Sequence, residues 1–187
     1  MAPSTKLRAD ASEALLSPRR LDMALALRAH GPSTVSELAE HTGMRSTAVY
    51  AHLDRLVDAG LVRECGRRKT GRRDGIVYEL THRKTSVRYD RDDPAAVDRT
   101  CRYTRMVLRR ASAEACESFS SLKARANGKR RDTAVSYSRT WLAPDELARA
   151  NALLDELAEL FDGTRSPAGR QAYALTVALR PAPCAST

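Results

Sequence analysis

A chain of 187 residues that is 42% hydrophobic has enough apolar matter for one substantial core or two small ones, which excludes disorder throughout. Its net charge of +9 and pI near 9.8 require an acidic partner, either nucleic acid or an anionic membrane face. The longest uncharged apolar run near the C-terminus, residues 171–179, is far below the ~20 residues of a membrane helix, so nucleic acid is the expected partner.

The charge is unevenly spread: +3 over residues 1–80, +5 over 81–110, +2 over 111–132 and −1 over 133–187. Cys65, Cys101, Cys116 and Cys184 form no CxxC pair, and no secretory signal opens the chain. Free thiols and a cytoplasmic location are the expectation.

In chain order, residues 1–16 show no period and are expected to be a flexible arm, with 17–81 a first domain, 82–181 a C-terminal dimerisation or effector region and 182–187 a disordered tail. Ser17-Pro18 resembles an N-cap with proline at the first helical position, followed by Leu21, Ala24, Leu25 and Arg28 at helical spacing up to Gly31-Pro32. Thr34 with Glu37 is a capping-box pattern that starts a short second helix over 35–41. Gly43 supplies the tight reversal, and a third helix over 45–58 ends at Gly60. Two helices joined by a glycine turn make the helix-turn-helix signature.

On the third helix, Val49, Leu53, Leu56 and Val57 share one arc and are expected to pack on Leu38 and Leu25. The outward face carries Arg45, Ser46, Thr47, Tyr50 and Ala51 with no acid, whereas Asp54 and Asp58 lie in the second half. Recognition helices use their N-terminal part against base edges, and the acid-free half fits that use. Next come LVREC, a basic tip over 67–73 and GIVYEL, which predict two strands around a turn. Five of the seven tip residues are cationic: Arg67, Arg68, Lys69, Arg72 and Arg73. Such a tip suits a phosphate backbone or a minor groove.

Downstream, residues 85–90 suggest a short strand. Asp93-Pro94 opens a long helix over 95–124, on which Val97, Cys101, Thr104, Leu108, Ala111, Ala115, Phe119 and Leu122 make a near-heptad seam that asks for a partner helix. Residues 132–142 alternate like a strand, 144–161 form a further helix with a leucine stripe, and 171–181 read as a final strand. The predicted class is mainly α with small β.

The segment TVSELAEHTGMRSTAVYAHLDRLVDAGLV with the GRR..GRR hairpin behind it resembles the winged helix-turn-helix of ArsR-like bacterial and archaeal transcription regulators. The resemblance covers residues 17–80, and the long helix, the WL-P-EL helix and the terminal strand are similar to a C-terminal extension of some members. It implies a dimeric transcription factor whose second and third helices and wing hold DNA. Metal-sensing members carry a cysteine pair on the second helix. Here that helix reads SELAEHTG, with only His41 as a ligand type, so metal sensing there is not expected.

The expected DNA contacts are therefore Arg45, Ser46, Thr47, Tyr50, Ala51 and His52 from the third helix, and Arg67, Arg68, Lys69, Arg72 and Arg73 from the wing. Two readings stay open for His52: a packed, hydrogen-bonded histidine or a phosphate contact. Cys65 is the cysteine best placed for redox sensing, since Arg63, Arg67 and Arg68 nearby would lower its pKa, although a lone cysteine is more often an inert apolar residue. Cys101 is expected in the core. No glycine-rich phosphate loop, HExxH or nucleophile elbow is present, and the four histidines form no constellation. No enzyme activity, cofactor or metal is expected. The function predicted is sequence-specific transcription regulation by a homodimer on double-stranded DNA, with an effector of unknown identity. The alternatives are a non-specific nucleoid or RNA-associated protein and a protein-interaction winged helix.

Overall fold

The structure, a computed structural model, describes residues 9–70, 73–82, 89–121, 123–162 and 172–181. Its elements are α1 (Ala9–Ala14), α2 (Pro18–His30), β1 (Ser33–Thr34), α3 (Val35–Thr42), α4 (Ser46–Asp58), β2 (Val62–Thr70), β3 (Arg73–Leu80), α5 (Pro94–Ser120) and α6 (Pro144–Asp162). The described residues are mainly helical with one small antiparallel sheet, the class expected. The described residues up to Met106, with Ala172, form one compact unit; those from Val107 onward, apart from Ala172, form the other.

In the first unit the arm expectation is corrected. Residues 9–14 are helical, and Ala11, Ser12, Ala14 and Leu15 are buried. Small alanines let the short helix approach closely, and Glu13 is held by Arg102 of α5 at 3.0 Å. The first eight residues lie outside the described part. Pro18 opens α2 as expected, but Ser17 contributes its carbonyl, accepting the Leu21 N–H at 2.9 Å, and no side-chain cap. The expected inward placement of Leu25 is also corrected: it is exposed. The buried residues of α2 are Leu21, Met23, Ala24, Ala26 and Leu27.

The capping box is present in full: Thr34 N–H donates to Glu37 Oε2 at 2.7 Å, and the Thr34 hydroxyl accepts the Glu37 N–H. Gly43 then takes φ 65°, a left-handed conformation that costs glycine little, and reverses the chain into α4. Val49, Leu53 and Leu56 are essentially fully buried with Leu38, whereas Val57 sits at the rim and is exposed, a further correction. Fully burying one such side chain stabilises by roughly 1.5–3 kcal/mol, so this cluster anchors the three helices.

The sheet order is β1-β3-β2, all antiparallel. β1 joins the α2–α3 connection to β3 through Ser33 opposite Tyr78 and Thr34 opposite Val77. The hairpin differs from the expected seven-residue turn. β2 continues to Thr70 and β3 starts at Arg73, with the register closing at that pair, so Arg67, Arg68 and Lys69 are strand residues. A bulge between Glu64 and Gly66 leaves Cys65 as the extra residue.

α5 begins as expected, its first turn capped by Asp93, which accepts the Ala95 N–H at 2.9 Å, but it ends at Ser120 rather than 124. Within the first unit it packs through Ala96, which is buried, and Tyr103, which lies against the core. The seam stripe is rotated from that contact: Cys101 and Thr104 are exposed, so Cys101 is not core, and Leu108 and Phe119 in the second unit are exposed too. Leu122 lies outside the described residues.

The second unit contains the rest of α5, α6, and residues 131–143 and 173–181. Neither of the last two segments is a strand, although both alternate as strands do. Alternation supplies a face but no ladder partner: the backbone hydrogen bonds of residues 131–143 are local ones, from Arg131 to the Gly128 carbonyl, from Asp132 and Thr133 to the Arg125 carbonyl and from Leu147 to the Ala143 carbonyl, and among the described residues none joins the two segments. Arg180 donates to the Tyr137 hydroxyl at 3.4 Å, and Leu154, Ala158 and Phe161 of α6 line a shallow apolar groove with Leu175, Val177 and Leu179. No described residue of this unit is buried, and Trp141 is 94% exposed. Most of the expected 85–90 strand and the whole 182–187 tail fall outside the described residues. No described helix is long and apolar enough to cross a membrane.

Candidate nucleic-acid interface

α4 is buried along one side, so its other side is determined by elimination. Arg45, the residue preceding the first turn, and Ser46, Thr47, Tyr50 and Ala51 are exposed; His52 is half-buried on the flank. No acid occupies the first turn, and no side chain caps it, which leaves the positive end of the helix dipole open to an anion. Asp54 and Asp58 are exposed farther along. Burial, then the nearby Glu64, Tyr50 and Asp54, raises the pKa of the Tyr78 hydroxyl.

The wing sorts its cations by strand alternation. Arg67 and Lys69 point to one face of β2 and Arg68 to the other. Arg68 donates through Nη1 to both oxygens of Glu37, at 2.8 and 3.0 Å, and through Nη2 to the Pro32 carbonyl at 3.1 Å. Arg63 pairs across the hairpin with Glu79 at 2.7 Å. Among the described residues no ion pair ties Arg45, Arg67 or Lys69. Arg72 lies outside the described residues, and Arg73 is placed by its backbone alone, opposite Thr70. Glu37 is the site residue that sequence reasoning assigned only to capping; its wing partner stands 31 positions away, and no local pattern marks such a pair.

Glu37 is held below the usual carboxylate range: partial burial works against this, but the Thr34 N–H, the Arg68 guanidinium and the Thr34 hydroxyl outweigh it. The expected lowering at Cys65 is reversed. Although Cys65 is exposed overall, partial burial and then the Glu79 carboxylate push its thiol up, and Arg63 and Arg68 offset this only in part. His30 at the end of α2 and His41 at the end of α3 stack with ring centroids 3.7 Å apart and planes within 5°. Burial and then His41 lower the His30 pKa. His41 thus packs against a histidine, and among the described residues no group of three or more metal-ligating side chains forms.

The family model described as a helix-turn-helix domain matches residues 15–65, which span α2, α3, α4 and the start of β2. With the β2–β3 hairpin directly behind them, the architecture is decided. The chain is a winged helix-turn-helix protein. Among solved structures it is similar to a homodimeric winged helix-turn-helix DNA-binding domain from Mycobacterium bovis, described as a possible ArsR-family transcriptional regulator. Identity is 31%, coverage 40% of this chain and 63% of that one, and the TM-score 0.33. A crystal structure of a possible transcriptional regulatory protein fragment from M. bovis is 32% identical, covering 40% and 73%, with a TM-score of 0.32. Reduced HlyU from Vibrio cholerae is 26% identical, covering 39% and 70%, with a TM-score of 0.31. This chain therefore spans slightly less than two thirds of the first of these. No curated protein matches it.

In this winged helix-turn-helix, α3 and α4 are the two helices of the motif, and β2 with β3 is the wing. Helix-turn-helix domains generally insert the second of those helices into the major groove, and in this chain that is α4.

Proposed function

We propose that this winged helix-turn-helix protein is a sequence-specific, DNA-binding transcriptional regulator that works as a homodimer. The observation that carries the reading is the pairing of an exposed, acid-free N-terminal half of α4 with a wing strand whose Arg67 and Lys69 have no described ion-pair partner. In this reading Arg45, Ser46, Thr47, Tyr50 and Ala51 face the groove, Arg67 and Lys69 meet phosphates, and Arg72 and Arg73 extend the wing's contact. Phosphate contacts position a protein on the duplex, whereas base-edge contacts select the sequence. His52, half-buried on the flank, stands at the edge of that face.

The homodimer is supported by the second unit, which buries none of its described side chains, and by the M. bovis relative, which is described as homodimeric. The reading places the protein in the cytoplasm and assigns it no catalytic role.

A salt titration of binding to genomic duplex fragments tests the proposal. A regulator keeps a few sites tightly while bulk binding falls steeply with salt. Arg67→Ala with Lys69→Ala is expected to weaken all duplexes nearly evenly and to lower the salt slope by about two, whereas Thr47→Ala changes which fragments are retained. Equal affinity for every fragment favours a non-specific nucleic-acid binder. No duplex binding at low salt leaves the protein-interaction winged helix.

A further inference from the structure

The wing cation Arg68 is committed to the protein itself. Its fork engages both oxygens of Glu37 and the Pro32 carbonyl. The same carboxylate accepts the Thr34 N–H at 2.7 Å and the Thr34 hydroxyl at 3.1 Å. One acid therefore closes the N-terminus of α3 and clasps the wing. β3 lies between β2 and β1, so the arginine reaches past the central strand to the α2–α3 connection, and its register partner Gly75 presents no side chain on that face. By alternation, Arg67 and Lys69 leave the opposite face of the strand that Arg68 pins.

We infer that Arg68 is a positioning residue: through Glu37 it sets the pitch of the wing against the helix-turn-helix, and so the placement of Arg67 and Lys69 relative to the α4 N-terminus, without being a phosphate ligand itself. The inference rests on the DNA-binding reading above. β1 fixes the base of the hairpin at Val77 and Tyr78, the clasp holds the part beyond it, and an ordered wing loses less freedom on binding than a mobile one. The planar guanidinium suits this clasp because it donates to two acceptor groups at fixed angles, which a lysine ammonium does not reproduce.

The position of Glu37 gives a test whose sign is opposed to simple electrostatics. Glutamine is the other residue that closes a capping box from the same position, so Glu37→Gln keeps the start of α3 and removes only the charge that Arg68 grips. Removing an acid beside a DNA-binding surface ordinarily tightens binding. Here Glu37→Gln is expected to weaken it by about two- to fivefold, the range of an exposed, well-aligned ion pair. The measurement is fluorescence anisotropy of the full chain with a duplex taken from its own retained genomic fragments and with a random-sequence duplex, at several salt concentrations. Arg68→Ala should weaken binding by the same factor, and the double variant by no more than either alone. Arg68→Lys should resemble Arg68→Ala. In all of these the salt slope stays at the wild-type value, whereas Arg67→Ala lowers it by about one.

Tighter or unchanged binding by Glu37→Gln overturns the inference, as do a slope lowered by about one in Arg68→Ala and near-wild-type binding by Arg68→Lys, both marks of a direct phosphate contact. Those results leave the DNA-binding reading standing; absence of wild-type binding to either duplex overturns that reading and the inference with it. Should Glu37→Gln lower the melting temperature enough to blur the comparison, Arg68→Lys decides between clasp and ligand, because it leaves the capping box untouched.

Discussion

Cys65 shows how a single residue's chemistry follows from its neighbours' prior commitments. Three arginines lie close in sequence, and isolated cations of that kind would favour the thiolate. In the fold Arg63 is paired with Glu79 and Arg68 with Glu37, while the thiol reaches toward the Val77 carbonyl at 3.5 Å. Burial and Glu79 then outweigh the cations, and the thiol is held up. Cys65 is therefore expected to react with iodoacetamide near neutral pH more slowly than an unstructured cysteine peptide, and Cys65→Ser to leave DNA binding unchanged. Alkylation followed by peptide mass analysis measures the rate, and a rate above that of the peptide would restore the redox-sensor reading. The same residue marks what was legible beforehand. That Cys65 stands among basic residues is plain from the chain; that two of those residues face carboxylates 16 and 31 positions away from them is not.

Among elements, α3 and α4 kept their expected bounds to within a residue, and each meets a local signal. α3 has its capping box and a glycine at φ 65°, and α4 ends into Gly60 at φ 69°. α1 has no such signals, and alanines that read as featureless in sequence are what allow it to pack. The ends of α2 and α3 meet in the His30–His41 stack, which gives a pH dependence. His30 has its pKa lowered in the fold, so the unfolded chain binds the proton more readily. The stability this represents is complete above the ordinary histidine value and is lost as pH falls through it. Glu37, also lowered, adds stability above the ordinary carboxylate value that is lost at more acid pH. Thermal unfolding should therefore shift to lower temperature between about pH 7.5 and pH 5.5, in a step that His30→Gln removes. A second decline, below about pH 4.5, should persist in that variant and shrink in Glu37→Gln. An identical first step in His30→Gln would show that the stack does not carry it.

Across the whole molecule the two units differ in kind. The first buries a continuous set of side chains from Ala11 to Tyr78. The second exposes Leu108, Phe119, Leu153, Leu160 and Trp141 and buries nothing among its described residues. Exposed apolar surface on that scale marks an interaction face, and the proposed homodimer supplies a second copy to cover it. Light scattering at micromolar concentration is expected to return about twice the 20.6 kDa of one chain. Leu153→Asp with Leu160→Asp should lower that mass toward one chain and weaken duplex binding through loss of the second half-site. A monomeric wild type would remove the dimer from the proposal while leaving the winged helix-turn-helix intact.

By itself the sequence determined the order of the winged helix-turn-helix elements and the exposure of Arg45, Ser46, Thr47, Tyr50 and Ala51, because caps, glycine turns and a 3.6-residue period act between neighbours in the chain. Only the tertiary structure decided that α1 belongs to the core, that the wing is strand almost to its turn, and that Arg68 faces Glu37 while Arg67 and Lys69 do not. Those outcomes depend on which distant groups pack or pair, and on strand alternation counted from a register that a bulge at Cys65 resets by one residue. The alternating segments around Val135 and Leu175 show the reverse side of that rule: a strand pattern remains a pattern until another backbone completes it.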